Sequence, residues 1–455
     1  MRDANQIDLR SLTPPSGALF TFGLFLVVVL YLSVSSFMLT MMGWQYAASG
    51  GSALEKMHPG TLVAAVLLVM SAVARGNPLL AVLETLAAHP LVPLYLLTVA
   101  FLISHALFIA GLPFSVFIDT FVAPALMLFL FRDIDNRRGR WLAWTVHAIF
   151  FANSLVGIWE YASGERLTPL VVQGEELIDE WRSSALMGHP LENAMLTGTY
   201  MVLLLCGGGR DLPVWLKPIV FLTAAAGMVV FGGRAASALV VLFILWHIGR
   251  RAYAVFRGET FDVRLVLFAI IGLPALTLLI YMLGEVGFFE RFIERLQDDK
   301  GSASTRIEMF ELFKHFSWPD LIFGPKPSYV GSLMRYYGLD YGIESFWVSM
   351  IIWHGILAAG TFFLGLFCFL YELTRTARGS TPVILYFFAV ASASLSLSAK
   401  THGLAVIIMI MLILLRESRA RAAVAEYAGM PDAVPVNGGS DVHTSGDRPR
   451  PLAVA

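Results

Sequence analysis

The sequence predicts an all-α polytopic membrane protein of about twelve transmembrane helices, with one large, partly helical loop between helices 9 and 10. Three observations carry this expectation. Hydrophobic residues make up 57% of the chain and charged residues only 14%, against roughly half and a quarter in an ordinary soluble domain. Mean hydropathy is +0.70. The apolar residues fall into runs long enough to cross ~30 Å of hydrocarbon, separated by short polar breaks. The length of 455 residues therefore goes into many helices rather than several soluble domains.

Taken in order, residues 1–16 form a polar lead containing Pro14 and Pro15. The apolar run 18–42 is longer than the ~7–15 residues of a signal-peptide core, so it predicts a retained first helix. Trp44 and Tyr46 follow where an interfacial belt belongs. Helix 2 is read at 61–74, Arg75-Gly76-Asn77-Pro78 breaks it, and 79–88 reads as a short interfacial helix. Helix 3 covers 92–109 and helix 4 covers 115–131, with a turn at Gly111-Leu112-Pro113 between them. The basic loop 132–140 leads through Trp141 into helix 5, which runs to 161. Beyond a second polar loop, 162–192, come helix 6 (194–206), helix 7 (214–231) and helix 8 (236–248). Arg250, Arg251, Arg257 and Arg264 fill the next loop, and helix 9 covers 265–283. Helices 10, 11 and 12 are read at 346–371, 383–397 and 404–415.

The expected layout is a cytoplasmic lead (1–16), helices 1–9 (17–284), a large loop (285–343), helices 10–12 (344–416) and a disordered tail (417–455). Positive charge in short loops sets the orientation. Arg75, the 132–140 cluster, Arg210, the 250–264 cluster, Arg375, Arg378 and the 416–421 cluster all fall on one side of a twelve-helix count. That side should be cytoplasmic and hold both termini, with loops 162–192 and 285–343 facing outwards. Cys206 and Cys368 lie in apolar runs, which predicts buried thiols and no disulfide framework.

The segment 285–343 mixes both charge signs with aromatics and short apolar periodicity, so it should fold rather than dangle. Arg291 and Arg295, one helical turn apart, could form a basic face there, and Lys326 adds a cation in FGPKPS. Ser304 or Thr305 could cap a helix with Arg306 in its first turn, where an anionic ligand would offset the unfavourable dipole. Arg234 sits in FGGRAAS between two helices, and its planar fork suits phosphate. It could equally be a snorkelling arginine at a helix end. His189 and Asn193 stand in MGHPLEN, where the chain re-enters the membrane, with Glu192 adding a further polar group. Glu344 opens helix 10, placed either to cap it or to act as a general base. Asp119, Glu160, His105, His147, His247 and His354 lie in or near apolar runs, where ionisable groups are functional candidates and could relay protons in a transporter. No HExxH, CxxC, Walker loop or dinucleotide fingerprint occurs, so neither a protein-bound metal nor a cofactor is expected.

MGHPLENA, FGGRAASALVV and STRIEMFELFKHFSWPDLIFGPKPS, in this order, resemble the O-antigen ligase and O-antigen polymerase superfamily of bacterial envelope proteins. The resemblance implies an inner-membrane, metal-independent inverting glycosyltransferase. Its donor would be an oligosaccharide on undecaprenyl pyrophosphate, and other polysaccharide export or assembly proteins are possible partners. It implies that Arg234 and Arg306 engage the pyrophosphate, while Glu344 or His189 takes the acceptor proton. Ligases of the superfamily share a histidine near the start of helix 10, where this chain has GIESFWVS. That difference favours a polymerase of exopolysaccharide or O-antigen over a ligase. A twelve-helix transporter or flippase is the third reading.

Overall fold

A computed structural model describes residues 17–46, 52–111, 114–169, 181–258, 287–297, 302–339, 342–393 and 399–416, with short pieces of 171–176 and 274–285 and residue 397. Most of the run read as helix 9 and all of the tail 417–455 lie outside the described residues. In chain order the first helices are α1 (Ala18–Ser33), α2 (Ser36–Met41), α3 (Pro59–Ala74), α4 (Pro78–Ala87), α5 (Leu91–Ala110) and α6 (Ser115–Phe131). Then come α7 (Asn136–Ser163), α8 (Pro190–Leu203), α9 (Leu216–Phe231) and α10 (Arg234–Phe256). The large loop contributes α11 (Glu290–Gln297), α12 (Ser302–Glu311), α13 (Trp318–Phe323) and α14 (Pro327–Tyr336). The chain finishes with α15 (Phe346–Thr376), α16 (Thr381–Ala393) and α17 (Gly403–Leu414). A two-residue antiparallel ladder, Val171–Val172 with Glu175–Glu176, is the only strand pairing among the described residues.

Among the described residues α5, α7, α10 and α15 are long and apolar enough to cross a membrane. Helices α1, α6, α9, α16 and α17 are apolar but shorter, and α3 qualifies only together with α4, bent from it by 109°. The chain is thus a helical, membrane-embedded, multi-pass protein. The elbow at Asn77-Pro78 turns α4 away from α3 and leaves Leu79, Leu80 and Leu83 exposed.

Helix α17 is the centre of the bundle, with every residue from Thr401 to Leu415 buried. A helix apolar all round is either a membrane span or enclosed by other helices, and the burial of α17 on every side shows the second. Its 12 residues rise only ~18 Å, well short of the ~30 Å of hydrocarbon. Its C-terminal end is clamped where Arg416 Nη2 donates to both oxygens of Asp211, each at 2.8 Å. At its other end polar side chains begin, because backbone groups that leave a helix at membrane depth need partners within the protein.

Helix 10 of the sequence reading is not one rod. Gly355, at φ 75° and ψ 164°, reverses the chain and divides α15 into two antiparallel arms. Phe346 and Trp347 therefore pack on Phe363, with ring centroids 5.7 and 4.8 Å apart. The longer arm runs beside α5, where Tyr95 stacks on Phe369 at 4.5 Å. The short arm, 346–354, turns one face to this bundle through Phe346 and Met350 and the other to the large loop through Val348 and Ile352. There Met309, Leu312, Phe316, Val330, Leu339 and Ile343 complete a second, smaller core. The loop does fold, as its apolar periodicity predicts.

Three further boundaries differ from the sequence reading. Helix 6 begins at Pro190, so Glu192 and Asn193 lie on α8 rather than in a loop. Helix 8 extends from Arg234 to Phe256, which makes Arg250 and Arg251 helical. Arg306 is the fifth residue of α12, past its first turn. Cys206 and Cys368 are free, as expected, but half-buried rather than buried.

Candidate functional site

The polar floor above α17 forms where three helices begin. A histidine stands at the N-terminal boundary of each, His58 at α3, His189 at α8 and His402 at α17, and of the three His58 caps its helix with its side chain. The sequence prepares this, because Pro59 and Pro190 start their helices without needing an N–H partner. The His58 and His402 rings lie 4.6 Å apart and Tyr31 stacks on His58 at 4.9 Å. Gly60 N–H donates to His58 Nδ1 at 3.1 Å, so Nε2 carries the ring proton toward the Val34 carbonyl at 2.8 Å, and the imidazole is neutral. Burial, then the neighbouring His402, lowers His58 to about 3. Burial alone lowers His402 to about 4.

Asp119 joins α6 to this floor from a widened turn, Ile118–Val122. Its carboxylate accepts from Tyr46 Oη at 2.9 Å, Thr61 Oγ1 at 2.6 Å and the His58 N–H at 3.1 and 3.2 Å. Thr61 then receives its own bond from Tyr31 Oη at 2.7 Å. Lys400 stands 3.8 Å over the Tyr46 ring and donates to the Tyr46 carbonyl at 2.9 Å. Partial burial, against the pull of Asp119, lowers it to about 8. Thr401 ties the floor to α8: its hydroxyl donates to Glu192 Oε1 at 3.2 Å and its N–H to Thr120 Oγ1 at 3.2 Å. Glu192 is 8% exposed. That single side-chain bond leaves the carboxylate capacity for more, since each oxygen can accept twice.

The residues expected from sequence distribute unevenly. His189 packs its ring on Phe37 at 6.0 Å, and its enclosed Nδ1 has no hydrogen-bond partner among the described residues. Asn193 is taken up internally: its carbonyl accepts from Asn153 Nδ2 at 2.9 Å and its amide donates to the Ser184 and His189 carbonyls. It braces the loop that leads into α8. Arg234 is the first residue of α10, and the preceding Gly233 lies against Ala194, where an added Cβ would come within 2.4 Å of the Ala194 Cβ. The start of α10 is thereby held two residues from Glu192. Glu344 is half-buried in the segment that enters the short arm of α15. Lys326 is exposed at the cap of α14. Arg291, Arg295 and Arg306 lie on α11 and α12, and their side chains are outside the described residues.

Two other candidates have internal partners. Glu160 accepts from the backbone N–H groups of Leu167, Ser184 and Ala185 at 2.7, 2.8 and 2.9 Å and so organises the loop before α8. His105 Nε2 donates to the Phe323 carbonyl at 2.9 Å, which fastens the large loop to α5, and its ring faces His354 at 5.7 Å. No group of three or more metal-ligating side chains occurs among the described residues. His58, Glu192, Lys400 and His402 were not singled out from sequence as site residues. Their shared signal is a histidine directly before the proline or glycine that opens an apolar run: His58-Pro59, His189-Pro190 and His402-Gly403. Comparison with protein-family models, with curated proteins and with solved structures finds no match to this chain.

Proposed function

We propose that this chain is a membrane glycosyltransferase that polymerises glycan repeat units carried on undecaprenyl pyrophosphate. Its twelve-helix layout, periplasmic site and cytoplasmic termini are part of the same reading. The observation that supports it is the packing of Gly233, the residue before Arg234, on Ala194, two residues along α8 from Glu192, whose carboxylate takes a bond from Thr401 at the entry to α17. A buried carboxylate with spare accepting capacity suits a general base. Helix starts and a guanidinium suit a departing diphosphate.

In this scheme an acceptor hydroxyl attacks the anomeric carbon of the donor sugar. Glu192 takes its proton, with Glu344 the alternative base. The bond from the anomeric carbon to the phosphate oxygen breaks with inversion, and the electron pair leaves on the diphosphate beside Arg234 and Arg306. Transfer of a finished glycan to a lipid acceptor uses the same chemistry. A transporter is the competing reading, favoured by buried His58 and Asp119 with half-buried Lys400 beside them. Against it, Asp119 accepts from three partners and the His58 ring nitrogens are both engaged, which leaves little capacity for a passing ion.

The test is polymer formation in cells that lack the chromosomal copy and carry Glu192→Gln, Arg234→Ala or Arg306→Ala at normal membrane levels. Loss of polymer with single repeats left on the carrier is the expected result. Long chains stranded on the carrier would assign a ligase. Normal polymer from all three variants would end the reading.

A further inference from the structure

At the opposite end of the bundle, between the α3–α4 elbow and the last turns of α6, lies a cavity of about 230 Å³. Its apolar lining includes Phe20, Leu68, Leu126 and Phe129. Its polar lining is Arg75, Thr85, His89, Arg132 and Asp133, of which Arg132 is exposed, Arg75, Thr85 and Asp133 are half-buried and His89 is buried. Arg75 Nη1 approaches Thr85 Oγ1 at 3.4 Å, which sets the guanidinium across the elbow. Arg132 donates to His89 Nε2, and His89 Nδ1 stands 3.1 Å from Glu372 Oε1. The imidazole thus positions Arg132 from behind. Glu372 is also 3.9 Å from Arg375, which offsets its charge. The polar lining thus sets two guanidinium groups against one carboxylate, Asp133, 3.8 Å from Arg132 Nε.

We propose that this cavity binds the phosphate of an anionic phospholipid. Three observations point to a lipid rather than a dissolved anion. The cavity is amphipathic, lined by two cations and by aliphatic and aromatic side chains. The neighbouring flank of α3 exposes Val66, Val69 and Val73, an apolar stripe at helical spacing along which acyl chains can run. The α4 helix, which supplies Ala81, Val82, Thr85 and Leu86 to the cavity, turns Leu79, Leu80 and Leu83 outward as further apolar surface. The volume is below the ~300–1,000 Å³ of a drug-sized pocket, and suits a phosphate with its adjoining glycerol carbons. Basic pockets between membrane helices recognise headgroups in this way.

The test uses the full chain, purified in detergent and stripped of lipid, then titrated with phosphatidylglycerol and read by native mass spectrometry. Wild type should retain one phosphatidylglycerol at concentrations where Arg75→Ala/Arg132→Ala retains at least tenfold less. Ala72→Phe fills the cavity with both charges kept and should lose the lipid equally. Arg75→Gln, which keeps side-chain length, gives the same reading where the double variant does not stay monodisperse. Equal retention by wild type and variants overturns the proposal. So does equal binding of phosphatidylcholine, or displacement of the lipid by millimolar inorganic phosphate, which would make this a site for a free anion.

Discussion

Gly324 and Gly355 meet backbone to backbone, and a Cβ added at 355 would lie 2.3 Å from the Gly324 nitrogen and 2.6 Å from the Ile322 carbonyl oxygen. This contact seats the Phe323-Gly324-Pro325 turn of the large loop on the apex of the α15 hairpin. The backbone angles at Gly355 belong to a region that only glycine occupies cheaply. Strain of ~1–3 kcal/mol and a clash relieved only by moving backbone therefore add. Gly355→Ala is expected to destabilise the protein by about 3 kcal/mol or more, read as a lowered thermal midpoint in detergent with new protease cutting in 302–336. Gly360 lies in the longer arm with open space around it. Gly360→Ala should be neutral or stabilising by up to ~1 kcal/mol.

The hairpin itself can be tested by distance. In a straight helix Phe346 and Phe363 would stand ~26 Å apart, whereas their ring centroids are 5.7 Å apart. In a background with Cys206→Ala and Cys368→Ala, the pair Phe346→Cys/Phe363→Cys should form an intramolecular cross-link with a short bis-thiol reagent. Phe346→Cys/Leu373→Cys should not. Absence of the first adduct would restore the continuous helix.

The helices were legible in the sequence because an apolar run declares itself through composition alone. The hairpin was not, since a run of apolar residues looks the same whether straight or folded back. Gly355 inside it is a weak signal by itself. The polar loop 162–192 shows the same limit. Polarity placed His189 and Asn193 at a membrane re-entry, but only the fold separates Asn193, engaged by Asn153 and two carbonyls, from Glu192, which keeps accepting capacity. His58 and His402 are 344 positions apart in the chain. That their rings touch is a property of topology, to which local pattern has no access.

Glu160 should behave as a structural residue. Its two oxygens hold the N–H groups of Leu167, Ser184 and Ala185, each a bond to a charged acceptor, worth ~1.5–3 kcal/mol. Glu160→Ala leaves those donors without the carboxylate and is expected to cost at least ~3 kcal/mol. Limited proteolysis should then cut between 164 and 189. Glu160→Gln keeps one acceptor oxygen and should fall between the two. An unaltered cleavage pattern in Glu160→Ala would show that the loop is held by other contacts.

The three histidines at helix starts predict acid sensitivity. Burial is the leading cause for each: with His402 beside it His58 falls to about 3, with Arg182 nearby His189 falls to about 4, and His402 falls to about 4. An unfolded histidine titrates near ~6.5. Between pH 6.5 and 4 the unfolded chain therefore takes up protons that the folded chain refuses. When the unfolded state binds more protons, stability rises with pH. The contribution is thus whole above the unfolded value and is lost as pH falls through that window. The thermal midpoint should drop between pH 7 and 5. His58→Asn, an uncharged residue that also caps helices, should flatten that slope even where it lowers the midpoint at pH 7. An identical slope in the variant would place the acid-sensitive step elsewhere in the protein.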